Sequence, residues 1–282
     1  MHSLLRLAVF IPVLALSARA DIERNLTRTY TVADGDKVIV HVPRGSITVE
    51  VTPGDEVSLH VRQTVDVDSE AEADKLLAAF DFLTDYRDHT VNLTIRAPKS
   101  SGWLKSWRMR DNVKFKTELT VPAGVSLDLD TAGGKIIVNG AINGDLKADT
   151  SGGSISVTGG AGKVNLDTSG GSIRVARALG NVRADTSGGS IRIDYVGPNA
   201  TDINADTSGG SITIGVDPAG NWDLDADTSG GRVSVDDLNL SSAKLERTSA
   251  KGRINAGGNR LRADTSGGSI TIRAASPSDG ES

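Results

Sequence analysis

The pentapeptide DTSGG begins at Asp149, Asp167, Asp185, Asp206, Asp227 and Asp264, and four of these six copies lie inside the identical octapeptide ADTSGGSI. Aligned on that phrase, the second half of the 282-residue chain divides into eight units: LDLDTAGGKIIV from Leu127, LKADTSGGSISV from Leu146, VNLDTSGGSIRV from Val164, VRADTSGGSIRI from Val182, INADTSGGSITI from Ile203, LDADTSGGRVSV from Leu224, the degenerate LERTSAKGRINA from Leu245, and LRADTSGGSITI from Leu261. Successive starts lie 19, 18, 18, 21, 21, 21 and 16 residues apart. A period of about twenty residues is the signature of a solenoid.

Within a unit, apolar residues alternate on both sides of the phrase. Leu146 and Ala148 precede it and Ile155 and Val157 follow it, with Lys147 and Ser156 on the opposite face. This is the period of a strand, and no unit holds a helical stripe. Each unit therefore predicts strand, Gly-Gly corner, strand and second corner. The expected fold is an all-β, single-chain parallel β-solenoid with coils of 18–21 residues, stacked about 4.8 Å apart so that equivalent side chains form columns. Glycines are expected to supply the positive φ of the bend, and Asp and Ser side chains to bond nearby amides, which makes Asp149, Asp167, Asp185, Asp206, Asp227 and Asp264 a structural turn ladder. A meander of antiparallel hairpins turning at TSGG satisfies the same alternation, but it would leave one sheet face uncovered.

Stacked carboxylates about 5 Å apart repel by roughly 1 kcal/mol in water and more where water is excluded. The ladder must stay wet, bond amides or hold cations. The GGxGxD nonapeptide of calcium-binding rolls is absent, and the unit around Thr248 interrupts the ladder, so structural turns are preferred and a calcium-stabilised module is an alternative.

Residues 1–20 carry Arg6, an apolar run from Leu7 to Leu16 and the small-residue site Ala18, Arg19, Ala20. They read as a secretory signal peptide cleaved after Ala20, and no later stretch approaches the roughly 20 apolar residues of a membrane-spanning helix. The chain has no cysteine, which excludes disulfides, thiolate metal sites and a cysteine nucleophile. An exported chain without disulfides suits a bacterial envelope, either the periplasm or the outside of the cell. The sequons at Asn25, Asn92, Asn199 and Asn239 are ascribed to chance in an Asn-, Ser- and Thr-rich chain. The net charge of −5 becomes more negative once the signal peptide is removed, and nothing in it points to nucleic acid.

Residues 21–126 lack the phrase. KVIVHVPRGSITVEV predicts two strands around a Pro-Arg-Gly-Ser corner, a divergent coil. The stretch 68–86 predicts one amphipathic helix, with Ser69 and Glu72 as a capping box and Ala73, Leu76, Leu77, Phe80 and Leu83 along one face. Leu76, Leu77 and Phe80 are expected to plug the amino-terminal end of the stack. The last of the regular coils, 127–273, runs into the polar tail 274–282. That end is expected to stay open for end-to-end self-association through the carboxy-terminal coil. Between 99 and 116, Trp103 and Trp107 lie among Lys105, Arg108, Arg110 and further cations. Burial of the tryptophans over the coil stack accounts for them, and contact with an anionic or saccharide surface is the second reading.

Catalytic patterns are missing. His41, His60 and His89 fall one at a time in strand-like segments, and neither a G-x-S-x-G elbow nor a complete Walker loop occurs. SSAK at Ser241–Lys244 lacks the companions of a serine-lysine site. Polysaccharide-active β-helix enzymes are the enzymatic alternative, with Asp236 and Asp237 as the paired carboxylates. Such chemistry needs two acids in different environments within a cleft, whereas these acids sit in equivalent repeating surroundings. No cofactor is implied.

The signal peptide, VPRGSITVEV, and the repeated T-S-G-G-S-I-x-V followed by G-x-V-x-x-D-T together resemble the putative adhesin family of bacterial β-strand-repeat domains of unknown function, over about Thr29 to Arg273. The resemblance implies a right-handed solenoid exported to the envelope, with no catalytic residue to carry over. The tryptophan segment has no family counterpart. The expected function is non-catalytic: a scaffold or adhesin that presents its ladder faces, its variable corner edge or the Trp103–Arg110 segment to an envelope protein or glycan.

Overall fold

The computed structural model describes residues 21–97, 112–160, 162–195 and 201–275. The expected signal peptide, the segment carrying Trp103, Lys105, Trp107, Arg108 and Arg110, and the end of the polar tail lie outside the described residues. The amino-terminal part comprises β1 (Ile22–Thr31), β2 (Lys37–Val42), β3 (Gly45–Val51), β4 (Glu56–Val65), α1 (Glu70–Leu77), β5 (Asp81–Arg87), β6 (Thr90–Arg96) and β7 (Val113–Val121). The repeats follow as β8 (Ser126–Thr131), β9 (Ile136–Asn139), β10 (Leu146–Thr150), β11 (Ile155–Thr158), β12 (Lys163–Thr168), β13 (Ile173–Ala178), β14 (Asn181–Thr186), β15 (Ile191–Tyr195), β16 (Ile203–Thr207) and β17 (Ile212–Val216). The carboxy-terminal part is β18 (Trp222–Thr228), β19 (Val233–Asp236), β20 (Leu240–Leu245), β21 (Ser249–Ile254), β22 (Asn259–Thr265) and β23 (Ile270–Ala274).

The strands form two sheets. Strands that precede the phrase belong to a 12-stranded front sheet, in the order β20-β21-β18-β22-β16-β14-β12-β10-β8-β2-β6-β5. Those that follow it belong to an 11-stranded back sheet, β1-β4-β7-β3-β9-β11-β13-β15-β17-β23-β19. From β8 to β17 every pairing is parallel, with Asp149 beside Asp130 and Asp167 and Ser156 beside Arg174, and the register slips by one residue only at Arg177, a bulge in β13 against β15. That parallel pairing rules out the antiparallel meander. The columns Leu127, Leu146, Val164, Val182 and Ile136, Ile155, Ile173, Ile191 are buried, each side chain stabilising the fold by about 1.5–3 kcal/mol.

The corner works differently from the expectation. The Asp side chains lie on the outer face, and the buried threonine of the phrase makes the bonds. Thr168 Oγ1 donates to Gly153 O at 2.8 Å and accepts from Gly171 N at 3.3 Å, and Thr186 does the same with Gly171 and Gly189. Each rung is thereby stitched to the one before it, and the corner glycine carbonyl gains a partner. None of the paired glycines of the phrase has φ in the left-handed region. They are glycines because coils approach closely there: a Cβ on Gly153 would stand 1.9 Å from Gly134 O.

The helix is also shorter than 68–86. Ser69 Oγ accepts from Glu72 N and caps α1, Ala73 and Leu77 are buried, and Arg24 of β1 pairs with Glu70 and Asp74. After Leu77 the chain turns, and DFLTDYR pairs antiparallel with β6. Leu83 satisfied both periods. On the strand it is 41% exposed, while Phe82 and Phe80 pack edge-on against Phe115.

The greatest departure is at the carboxy-terminal end. The last coil, β22–β23, does not close the stack but lies inside it, between β16–β17 and β18–β19. The degenerate unit supplies β21, which pairs antiparallel with β18 and covers it, and the corner that precedes the unit supplies β20, antiparallel to β21 at the edge of the sheet. The end expected to be open is therefore capped on the front sheet, and the carboxy-terminal coil is not at an end. Electrostatics favours this order. Stacked in chain order, Asp225 and Asp227 would adjoin Asn204 and Asp206 with no cation. The inserted coil places Arg262 between Asn204 and Asp225, paired with Asp264 on its own strand, with Asp225 and Asp206 both adding to the field that keeps its proton.

Candidate binding face

Outward residues of the front sheet form two columns two residues apart. In spatial order one reads Asp130, Asp149, Asp167, Asp185, Asp206, Asp264, Asp227. The other reads Asp128, Lys147, Asn165, Arg183, Asn204, Arg262, Asp225. Each cation pairs with the Asp two residues on: Lys147 Nζ to Asp149 at 2.8 Å, Arg183 Nε to Asp185 at 2.8 Å, and Arg262 Nε to Asp264. Asp149, Asp185 and Asp264 are half-buried beneath their partners, whereas Asp167, Asp206 and Asp227 are exposed. Paired rungs and wet rungs thus alternate, which relieves the repulsion of a continuous carboxylate row.

Residual repulsion is visible at the centre. Burial pushes the Asp185 carboxyl above its ordinary pKa, and Asp206 and Asp167 on either side add to the rise against the pull of Arg183. Asp128 behaves oppositely. Burial alone would raise it, but Lys37, 2.8 Å away, and Lys147 bring it below the usual range. Lys147 is in turn held more basic by its bond to Asp149.

Two open grooves run along this face. One, of about 540 Å³, is lined by Lys37, Asp128, Lys147, Lys163, Asn165 and Arg183 among others. The second, of about 640 Å³, has Asp202, Asp223, Asp225, Asn259, Arg260 and Arg262 in its walls. Alternating donors and acceptors in an open trough suit an extended polar ligand more than the enclosed, mostly apolar site of a small molecule. Asp236 ends β19 and Asp237 follows in a turn with φ 59°. Neither lines either groove. Among the described residues no three His, Asp or Glu side chains converge as metal ligands would.

Two polar clusters escaped the sequence reading. Asp36, 1% exposed, accepts from Ala33 N at 2.9 Å and Tyr86 OH at 2.7 Å, and its other oxygen meets His89 Nδ1 at 2.9 Å. The Ala33 amide, the Tyr86 hydroxyl and His89 hold its carboxyl below the ordinary range. His89 is in the turn between β5 and β6, not in a strand. On the back sheet Asp194, wholly buried, pairs with Arg192 at 3.0 Å and with Arg273 of the inserted coil at 3.1 Å. Gly215 lies in register between Asp194 and Arg273, and its missing side chain opens the path. Both clusters join segments at least 50 positions apart, which no local motif records.

The chain matches no curated protein. Solved structures are similar over most of its length. They include a putative cell adhesion protein from Clostridium sporogenes (12% identity, 89% of this chain and 100% of that one, TM-score 0.38) and a putative adhesin from Bacteroides fragilis (17%, 88% and 97%, 0.38). Another is a putative lipid binding protein from Parabacteroides distasonis (14%, 88% and 96%, 0.39). The family described as Toastrack DUF4097 matches residues 23–273, and with nearly the whole described stack inside that span, the chain belongs to it.

Proposed function

We propose that this protein is an exported, non-catalytic binding module of the bacterial envelope, periplasmic or secreted, whose front-sheet face engages an extended polar partner, a protein or a glycan. The observation that supports the reading is the pair of polar columns over seven stacked strands, one all Asp and the other mixing Asp, Lys, Arg and Asn, with open grooves along them. The names of its structural neighbours, adhesion and lipid-binding proteins, agree with a binding role. The coils wind right-handed, as parallel crossovers almost always do. The Trp103, Lys105, Trp107, Arg108 and Arg110 segment is a second contact surface.

Purified protein tested against murein sacculi, outer-membrane vesicles and a glycan array checks this. Lys147→Glu combined with Arg183→Glu is expected to weaken the captured partner about tenfold without altering the circular dichroism spectrum. Equal binding by both proteins to every target rejects the front face as the contact.

A further inference from the structure

We propose that β22–β23 is an exchangeable coil, traded with a second copy of this chain to give a domain-swapped dimer. The coil and its seat are the same text: ADTSGGSITI occurs at 205–214, in β16–β17, and again at 263–272, in β22–β23. The coil is held by contacts to that seat, to Asp194 of β15 one coil beyond it, and to the strands on its other side. Thr265 Oγ1 donates to Gly210 O at 2.8 Å, Ser269 N to Ser211 Oγ at 3.2 Å and Arg260 N to Asp202 Oδ1 at 2.8 Å. Arg273 reaches Asp194, and on the far side Arg232 N donates to Ser269 Oγ at 3.3 Å. None of these bonds requires the coil and the seat to belong to one chain, so a second copy regains all of them.

The connection is built like a hinge. Ile254 at the end of β21 and Asn259 at the start of β22 are both in register with Trp222, on opposite sides of β18. Residues 255–258 must therefore cross over that strand, and Asn255, Gly257 and Gly258 do so with φ of 53°, 75° and 149°. A short crossing held in left-handed conformations is the kind of loop that favours exchange. The bonds lost on opening belong to the hinge alone: Asn255 Nδ2 to Pro218 O at 2.9 Å and Gly220 O at 2.6 Å, and Ala256 N to Asn221 Oδ1 at 3.0 Å. Synthesis order adds to this. Both walls of the slot are made before its occupant, so the first coil to arrive, from either copy, can fill it.

The chain has no cysteine, and Thr213 and Thr271 are neighbours in register across β17 and β23. Copies carrying only Thr213→Cys are co-expressed with copies carrying only Thr271→Cys, then oxidised. The expected product is a disulfide joining positions 213 and 271 of two chains, with a particle of twice the chain mass by light scattering. A second measurement needs no cysteine: Asn255→Ala should raise the dimer fraction, and inserting Gly-Gly-Ser after Gly257 should lower it. The proposal is overturned if the doubly substituted chain closes 213–271 within itself while the mixed copies form no such link, or if neither hinge variant changes the mass.

Discussion

Between β8 and β17 the coils stand in space in the order in which the chain writes them, whereas beyond β17 the last coil comes before the one that precedes it in sequence. Both regions use the same phrase, the same threonine bonds and the same serine links. The difference shows that DTSGG specifies a corner and leaves open which coil is the neighbour. Neighbour choice lies in the residues that differ between rungs: Arg262 between two acidic or neutral rungs, Gly215 as a gap, and Asp194 as a buried anchor.

Asp194 gives the largest test of that contrast. Its register partner in the preceding coil, Ala176, carries no charge, so the ion cluster is an address mark for the inserted coil. Asp194→Ala removes the buried acceptor shared by Arg192 and Arg273, whose own side chains reach solvent, and is expected to cost about 2–3 kcal/mol. Asp149→Ala, which removes a half-buried pair at the solvent-facing side of the regular region, is expected to cost about 1 kcal/mol or less. Urea midpoints measure both, and similar losses would mean that the inserted coil has no anchor of its own.

Comparable in size is a test of what the two regions share. Gly152 and Gly153 are adjacent, yet a Cβ on Gly153 would meet Gly134 O at 1.9 Å, whereas one on Gly152 finds nothing nearer than 3.9 Å. Gly153→Ala should cost about 3 kcal/mol through forced backbone displacement, and Gly152→Ala under about 1 kcal/mol. Gly268→Ala in the inserted coil faces Gly210 O at 2.1 Å and should match Gly153→Ala. A tolerant Gly268 would show that the inserted coil is more loosely seated than the regular ones.

The regular coils were legible because period-two alternation and a fixed phrase are local properties, and parallel stacking follows once the faces of Leu146, Ile155 and their equivalents must be buried together. The roles inside the phrase were less legible. Thr, Asp and Gly recur with equal fidelity, so recurrence alone could not say that Thr150 turns the corner while Asp149 faces water. The insertion was illegible for the same reason: LRADTSGGSITI fits several seats, and only the weak unit at 245–256, poor in aliphatics, signalled that the stack did not continue there. On the candidate face the phrase put Asp at equivalent positions of successive units, but its partners Lys147, Arg183 and Arg262 needed the register to be seen as alternate rungs.

The smallest effect separates two carboxylates of one face. Asp185 has its pKa raised in the folded protein by burial and by its Asp neighbours. Its contribution is fully present below the unfolded pKa and is lost as pH rises through the folded value. At neutral pH its charge is therefore a net cost. Asp128 has its pKa lowered, through Lys37 and Lys147, so its contribution is present above the unfolded pKa and lost as pH falls through the folded one. Asp185→Asn should slightly raise Tm at pH 7, an effect that fades once the pH falls below the unfolded carboxylate value of about 3.9, whereas Asp128→Asn should lower Tm at pH 7 and keep doing so to more acid pH, until the lowered folded value of Asp128 is passed. If both variants moved Tm in the same direction at pH 7, the crowded central rungs and the cation-rich end of the face would be electrostatically equivalent, and the alternation of paired and wet rungs would not govern the stability of the stack.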